Sequence, residues 1–332
     1  MDGASAVNLF MLFLLMLGLG LAVNVERFKE NFAKPKGVTI GVICQFLLMP
    51  PSAYIMSGIM GLSSLYRIAL VLIGCCPGGA MSNILCFLFR ADLDLSVAMT
   101  TASSFCAIFM MPLNVYLYVN VTGLSDDVSL DYLGIVLSAL LVVAGLGGGI
   151  SVKKWAPTSD RGPLVVNIVG KLGALGGLGV FVTGLVSNSK SDTPIWGATG
   201  GIYGSAACQV VLGIAMGFGA SVLAGLSKPS AVAVSIETSV QNAVLAMAII
   251  AISFDGDDAA EAAVVPMCYM MFSTWTNVAW CIISWKVFEF TLLPRDAKFA
   301  DILQAWKDSL SVPEDAESDL AGINDSPNDS AL

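Results

Sequence analysis

No histidine occurs anywhere in the 332 residues. That removes His-based acid–base catalysis, Ser-His-Asp triads and His-ligated metal sites. Charge is scarce as well: Asp, Glu, Lys and Arg make up 12% of the chain, half of the roughly 25% that a soluble domain carries. No basic stretch interleaved with aromatics is present, so nucleic acid is not a partner. Paired acids and a nucleophile elbow are both missing, and the chain reads as a non-enzyme with no cofactor. Nor is there a Cys-x-x-Cys pair. All eight cysteines fall inside apolar runs, where they read as small buried hydrophobes rather than a disulfide or metal framework.

What fills the chain instead is apolar: 56% of residues are hydrophobic and the mean hydropathy is +0.80. A helix crossing a bilayer needs about 20 mostly apolar residues. Nine such runs stand out, near 7–24, 38–60, 65–89, 95–119, 130–151, 163–187, 197–225, 230–253 and 261–290. The expected fold is therefore an all-α polytopic membrane protein with about nine transmembrane helices. The first run is preceded by Asp2 and followed by Arg27, Lys29, Lys34 and Lys36, the polarity of an anchor with its N-terminus outside rather than of a cleaved signal. With nine spans in that orientation, fourteen of the sixteen Lys and Arg fall inside and only Arg67 and Lys190 outside. This reading gives a multi-pass protein, expected in the plasma membrane and surrounded by membrane lipid, with a cytoplasmic C-terminus. Residues 1–290 are the transmembrane domain and 291–332 an acidic tail. Phe299, Ile302, Leu303, Trp306 and Leu310 share one helical face, which predicts an interfacial helix near 297–310.

Ionisable groups in hydrocarbon are expensive and mark function. One acid lies deep in a span: Glu237, within a stretch that places Glu237, Thr238, Ser239, Gln241 and Asn242 close together. Ordinary helix–helix hydrogen bonding accounts for a Ser or Thr in a span, but not for a carboxylate with an amide pair beside it. A second cluster, Gly74-Cys-Cys-Pro-Gly-Gly-Ala-Met-Ser-Asn83, interrupts the third run. Pro77 removes a backbone donor and disfavours helix at Cys76, and Gly78 and Gly79 loosen the chain further. A Pro-kinked packing helix is the plain reading of that cluster alone. Taken with the Glu237 cluster it means more, because both fall in the third run of a four-run half and those runs are opposed in direction. Corresponding interruptions in inverted halves point to a transporter's central site. One carboxylate among hydroxyls, amides and backbone carbonyls suits a monovalent hard cation better than a transition metal or calcium. A proton is the other coupling ion open to such a site. Ser96 and Thr100, spaced i, i+4, and the lone amide Gln45 are further oxygen donors.

With these residues the chain resembles the bile acid:sodium symporter family, from about Asn8 to Lys286. The matching segments are Lys34-Pro-Lys-Gly37, Gly74 to Gly79 with Ser82-Asn83, Leu95 to Thr100, Met111-Pro112, and Glu237-Thr238 with Gln241-Asn242. The resemblance implies an inverted repeat, with core and panel bundles and two discontinuous helices crossing near the midplane. It implies one sodium site at Ser82, Asn83, Ser96, Thr100 and Glu237. A second would use Gln45, Glu237 and Gln241 with backbone oxygens of Thr238 and Val240. It places an organic anion near Pro77, Gly78, Gly79, Ala80 and Asn242. The function implied is sodium-coupled symport of a bile salt or related anion by alternating access. A proton-coupled or exchange transporter using the same site is the alternative, and a channel a more distant one. Two positions depart from the family pattern: Ala80, where Asn is usual, and Ser239, where Gly is usual.

Overall fold

A computed structural model describes residues 3–22, 35–79, 81–124, 132–156, 161–254 and 256–298, together with positions 300 and 304. Each of the nine apolar runs coincides with a helix or a pair of helices. They are α1 (Gly3–Ala22), α2 (Pro35–Ile59), α3 (Ser64–Cys75), α4 (Met81–Leu88), α5 (Leu93–Val115), α6 (Tyr132–Trp155), α7 (Gly162–Asn188), α8 (Gly200–Leu223), α9 (Lys228–Ser239), α10 (Ala243–Ser253), α11 (Gly256–Ala262) and α12 (Val264–Lys286). Among the described residues, α2, α7 and α8 are unbroken and long and apolar enough to cross a membrane. Residues 93–121 add a fourth span if its 59° bend is accepted. Ala80, most of the basic stretch 27–36 and most of the amphipathic stretch 297–310 lie outside the described residues.

Irregular backbone within the apolar runs has local causes that differ between segments. In α2 the ladder widens to a π turn over Cys44–Leu48. Pro50 has no N–H, so the carbonyl of Phe46 loses its helical donor. Asn114 Nδ2, from α5, supplies the replacement at 3.0 Å. Asn114 is buried, and replacing it with Leu leaves that carbonyl unpaired, a cost of about 1–3 kcal/mol. Asn114→Leu is expected to lower the thermal midpoint of purified protein by several degrees, which a scanning fluorescence melt checks. Between α3 and α4, Pro77 forces Cys76 into extended backbone (φ −70°, ψ 152°) and ends the helix there.

Helices α1, α6 and α7 pack on one another, and α2–α5 with α8–α12 form the rest of the bundle. Glycines let the first group approach closely: a Cβ on Gly173 would sit 2.4 Å from the Cα of Gly18. Side chains facing outward are apolar, with Phe109, Ile59 and Leu223 at 76%, 70% and 91% exposure. Such a surface belongs against lipid.

Candidate functional site

The two interrupted helices meet at their breaks. Gly78 and Gln241 form an isolated antiparallel bridge. Gly79 N donates to Val240 O at 2.8 Å, and Asn242 N donates to Pro77 O at 2.9 Å. Each break thus satisfies backbone groups that the other leaves open, the condition for irregular backbone away from water. The chains run in opposite directions through the contact. Asn242 then caps α10, its Oδ1 accepting from Leu245 N at 3.0 Å.

Glu237 lies beside this contact and is fully buried. Thr100 Oγ1 donates to its Oε1 at 2.7 Å and Ser96 Oγ to its Oε2 at 3.1 Å. Asn83 joins the same group: its Oδ1 accepts from Ser96 Oγ at 2.8 Å, and its Nδ2 donates to Thr100 Oγ1 at 3.2 Å. Ser82 is buried on the first turn of α4, with its hydroxyl on Gly79 O at 2.8 Å. The i, i+4 spacing on α5 puts Ser96 and Thr100 on one face, and the fold brings both to the same carboxylate. No cationic side chain pairs with Glu237 among the described residues.

On the other side, Gln45 and Gln241 approach the C-terminal end of α9. Gln45 Nε2 donates to Glu237 O at 2.9 Å, and Gln241 Nε2 donates to Thr238 O at 3.0 Å. Because each nitrogen faces a carbonyl, the orientation of both amides is fixed. Their oxygens, Gln45 Oε1 and Gln241 Oε1, are buried and have no hydrogen-bond partner among the described residues. Two buried amide oxygens left without a donor next to one buried carboxylate cost free energy as they stand. A small hard cation satisfies oxygens of this kind. The Thr238 and Val240 carbonyls are engaged by Gln241 and Gly79 respectively. The nine sequence-predicted cation-site residues thus fall into two adjoining clusters that share Glu237.

Of the residues predicted to touch an anion, Gly79 and Asn242 line a cavity of about 230 Å³, with Gln241, Ala243, Met270 and Thr274. Leu15, Leu19 and Gly177 form its opposite wall, so it lies between the α1–α7 group and the crossing. Pro77 and Gly78 are buried away from it. Gly78 backs the carboxylate instead: a Cβ there would come 2.2 Å from Glu237 Oε1 and 2.8 Å from Gln45 Nε2.

Sequence reasoning passed over the α12 residues that hold the second break. Tyr269 Oη donates to Ser239 O at 2.7 Å, and Ser239 Oγ donates to Asn277 Oδ1 at 2.8 Å. Ser239 is helical and needs no positive φ, so serine in place of glycine is accommodated and gains a partner. Buried Asn277 and Ser273, four apart on a long apolar helix, were the available signal.

A family model for the Sodium Bile acid symporter family matches residues 9–191. The hepatic sodium/bile acid cotransporter of Homo sapiens is 29% identical over 299 residues, covering 88% of this chain and 82% of that protein. The human sodium-dependent organic anion transporter is 30% identical over 272 residues, covering 81% and 70%. The human ileal sodium/bile acid cotransporter is 30% identical over 270 residues, covering 81% and 75%.

Proposed function

We propose that this chain, which belongs to the Sodium Bile acid symporter family, carries an organic anion across a membrane together with sodium by alternating access. The family is one of transporters rather than enzymes, and the chain is an integral, multi-pass membrane protein. The nine-span topology, the inverted repeat and the separation into a core and an α1–α6–α7 panel are part of this reading, with residues 1–290 as the transporting unit.

The observation that carries the proposal is the pair of orphaned oxygens on Gln45 and Gln241 beside the buried Glu237. One sodium takes Gln45, Gln241 and Glu237 with the nearby Thr238 and Val240 carbonyls. A second takes Ser82, Asn83, Ser96 and Thr100, also at Glu237. A proton on Glu237 would neutralise the carboxylate but leave both amide oxygens unpaired, which favours sodium over proton coupling. Cation binding draws α2, α4, α5 and α9 onto one point and so fixes the backbone of both breaks. The anion is then held at Gly79 and Asn242, where the N-termini of α4 and α10 favour negative charge. Fixing the breaks makes the anion site, so each binding strengthens the other by the same factor.

Uptake of labelled taurocholate by cells expressing the chain is expected to be several-fold faster in sodium than in potassium buffer, at matched surface expression. Taurocholate is the probe because two of the relatives are named for bile acids. Equal, substantial uptake in the two buffers would overturn sodium coupling. Sodium-dependent uptake of a smaller carboxylate or sulfate in place of taurocholate would change the cargo and leave the coupling.

A further inference from the structure

A second polar cluster lies far from the crossing, at the end of the bundle that carries Arg67 and Lys190. Asn188, the last residue of α7, is fully buried. Its Nδ2 donates to Ala260 O on α11 at 3.1 Å and to Thr193 O at 3.0 Å, and its Oδ1 accepts from Ile195 N at 2.8 Å. Thr193 extends the cluster: its Oγ1 lies 2.9 Å from Tyr66 Oη, on the first turn of α3, and the Glu261 carboxylate on α11 takes the hydroxyl protons of Tyr66 and Thr193. An asparagine that only closed its own helix would bond within α7 and the following loop. This one also bonds α11, which belongs to the other group of helices.

The bond has a cavity beneath it. Ser187, Ala259 and Ala260 line a space of about 160 Å³ between α1 and α7 on one side and α10 and α11 on the other. Ala263, Met247 and Phe254 form its buried side. Two cavities therefore lie between the same two groups of helices. The larger touches the crossing at Gly79 and Asn242, and the smaller lies at Ser187 and Ala260, beside the Asn188 cluster.

We propose that Asn188, Thr193, Tyr66 and Glu261 form a strap that holds the outer end of the panel against the core, and that the strap must part before the smaller cavity opens to the outside. The proposal rests on the alternating-access reading above, and it names the residues that set how often the outer side opens. Cutting the strap favours the outward-open arrangement. It removes contacts that exist only in the closed one.

The test places a thiol on the buried wall of the smaller cavity, Ala263→Cys in the full chain, and follows its labelling by a membrane-impermeant maleimide at the outer face. Labelling at position 263 is expected to be slow with the strap intact. It should be about five-fold faster with Tyr66→Phe, the shift expected for one net hydrogen bond, and faster again with Asn188→Ala. An unchanged rate with Tyr66→Phe overturns the strap. A parallel arm pairs Asn188→Cys with Ala260→Cys and verifies the disulfide by mass. Oxidised protein is expected to lose sodium-stimulated uptake and recover it on reduction, and full uptake with the disulfide formed overturns the proposal. Failure of the symport reading is separate. In that case wild-type uptake is the same in sodium and potassium while labelling at 263 still responds to Tyr66→Phe.

Discussion

Glu237→Gln is expected to abolish sodium stimulation of uptake while leaving the protein folded and at the cell surface. The substitution keeps the size of the side chain and an oxygen for one of the Thr100 and Ser96 hydroxyls, which now donate to separate carboxylate oxygens at 2.7 and 3.1 Å; the other hydroxyl can turn to accept from the new amide NH2. It removes the negative charge common to both clusters. A unit charge pair about 4 Å apart is worth about 4 kcal/mol at an effective dielectric constant of 20. That corresponds to roughly a thousand-fold in affinity, so sodium at ordinary concentrations no longer occupies the site. Because both proposed ions share this carboxylate, the loss should be complete rather than halved. Uptake by Glu237→Gln that still rises with sodium would remove the residue from the coupling mechanism.

Gly78→Ala is the second large effect. A single methyl there meets Glu237 Oε1 at 2.2 Å and Gln45 Nε2 at 2.8 Å, distances at which something must move. The backbone cannot give easily, because its neighbours bond to Val240 O and to Asn242 N. The carboxylate is the part that moves, away from Ser96 and Thr100. Overpacking of this kind costs about 1–3 kcal/mol, which corresponds to roughly a five- to hundred-fold rise in the sodium concentration for half-maximal uptake. Gly79→Ala is the internal comparison. Its Cβ would meet nothing nearer than Gln241 O at 3.2 Å, and sodium dependence should change far less. Equal effects at the two positions would mean that general disturbance of the break, not crowding of the carboxylate, is responsible.

How far the sequence reveals this arrangement depends on the kind of signal each element carries. The break before α4 is legible because its cause is intrinsic: Pro77 lacks a donor and restricts Cys76 wherever the chain is placed. The break between α9 and α10 has no proline or glycine, and its cause is tertiary. Tyr269 takes the Ser239 carbonyl, and Pro77 and Gly79 take the groups at Asn242 and Val240. Only the density of polar side chains around Glu237 marks the place. Likewise the π turn at Gln45 follows from Pro50, but its stability depends on Asn114, sixty-eight residues from the Phe46 carbonyl it holds. Ser96 and Thr100 could be placed on one face by spacing alone, whereas their shared partner could not. Asn188 carries no sequence signal at all: an asparagine at a helix end is ordinary, and its bond to α11 appears only in the fold.

The most direct test of the central claim needs no substrate. Purified protein is melted in increasing sodium chloride, with potassium chloride holding ionic strength constant. A cation bound by the folded site stabilises it in proportion to the logarithm of its saturation, about 2.7 kcal/mol at a hundred times the dissociation constant. A sodium-specific rise in the thermal midpoint is expected for the wild type and none for Glu237→Gln. A wild-type midpoint that is the same in sodium and in potassium would contradict it.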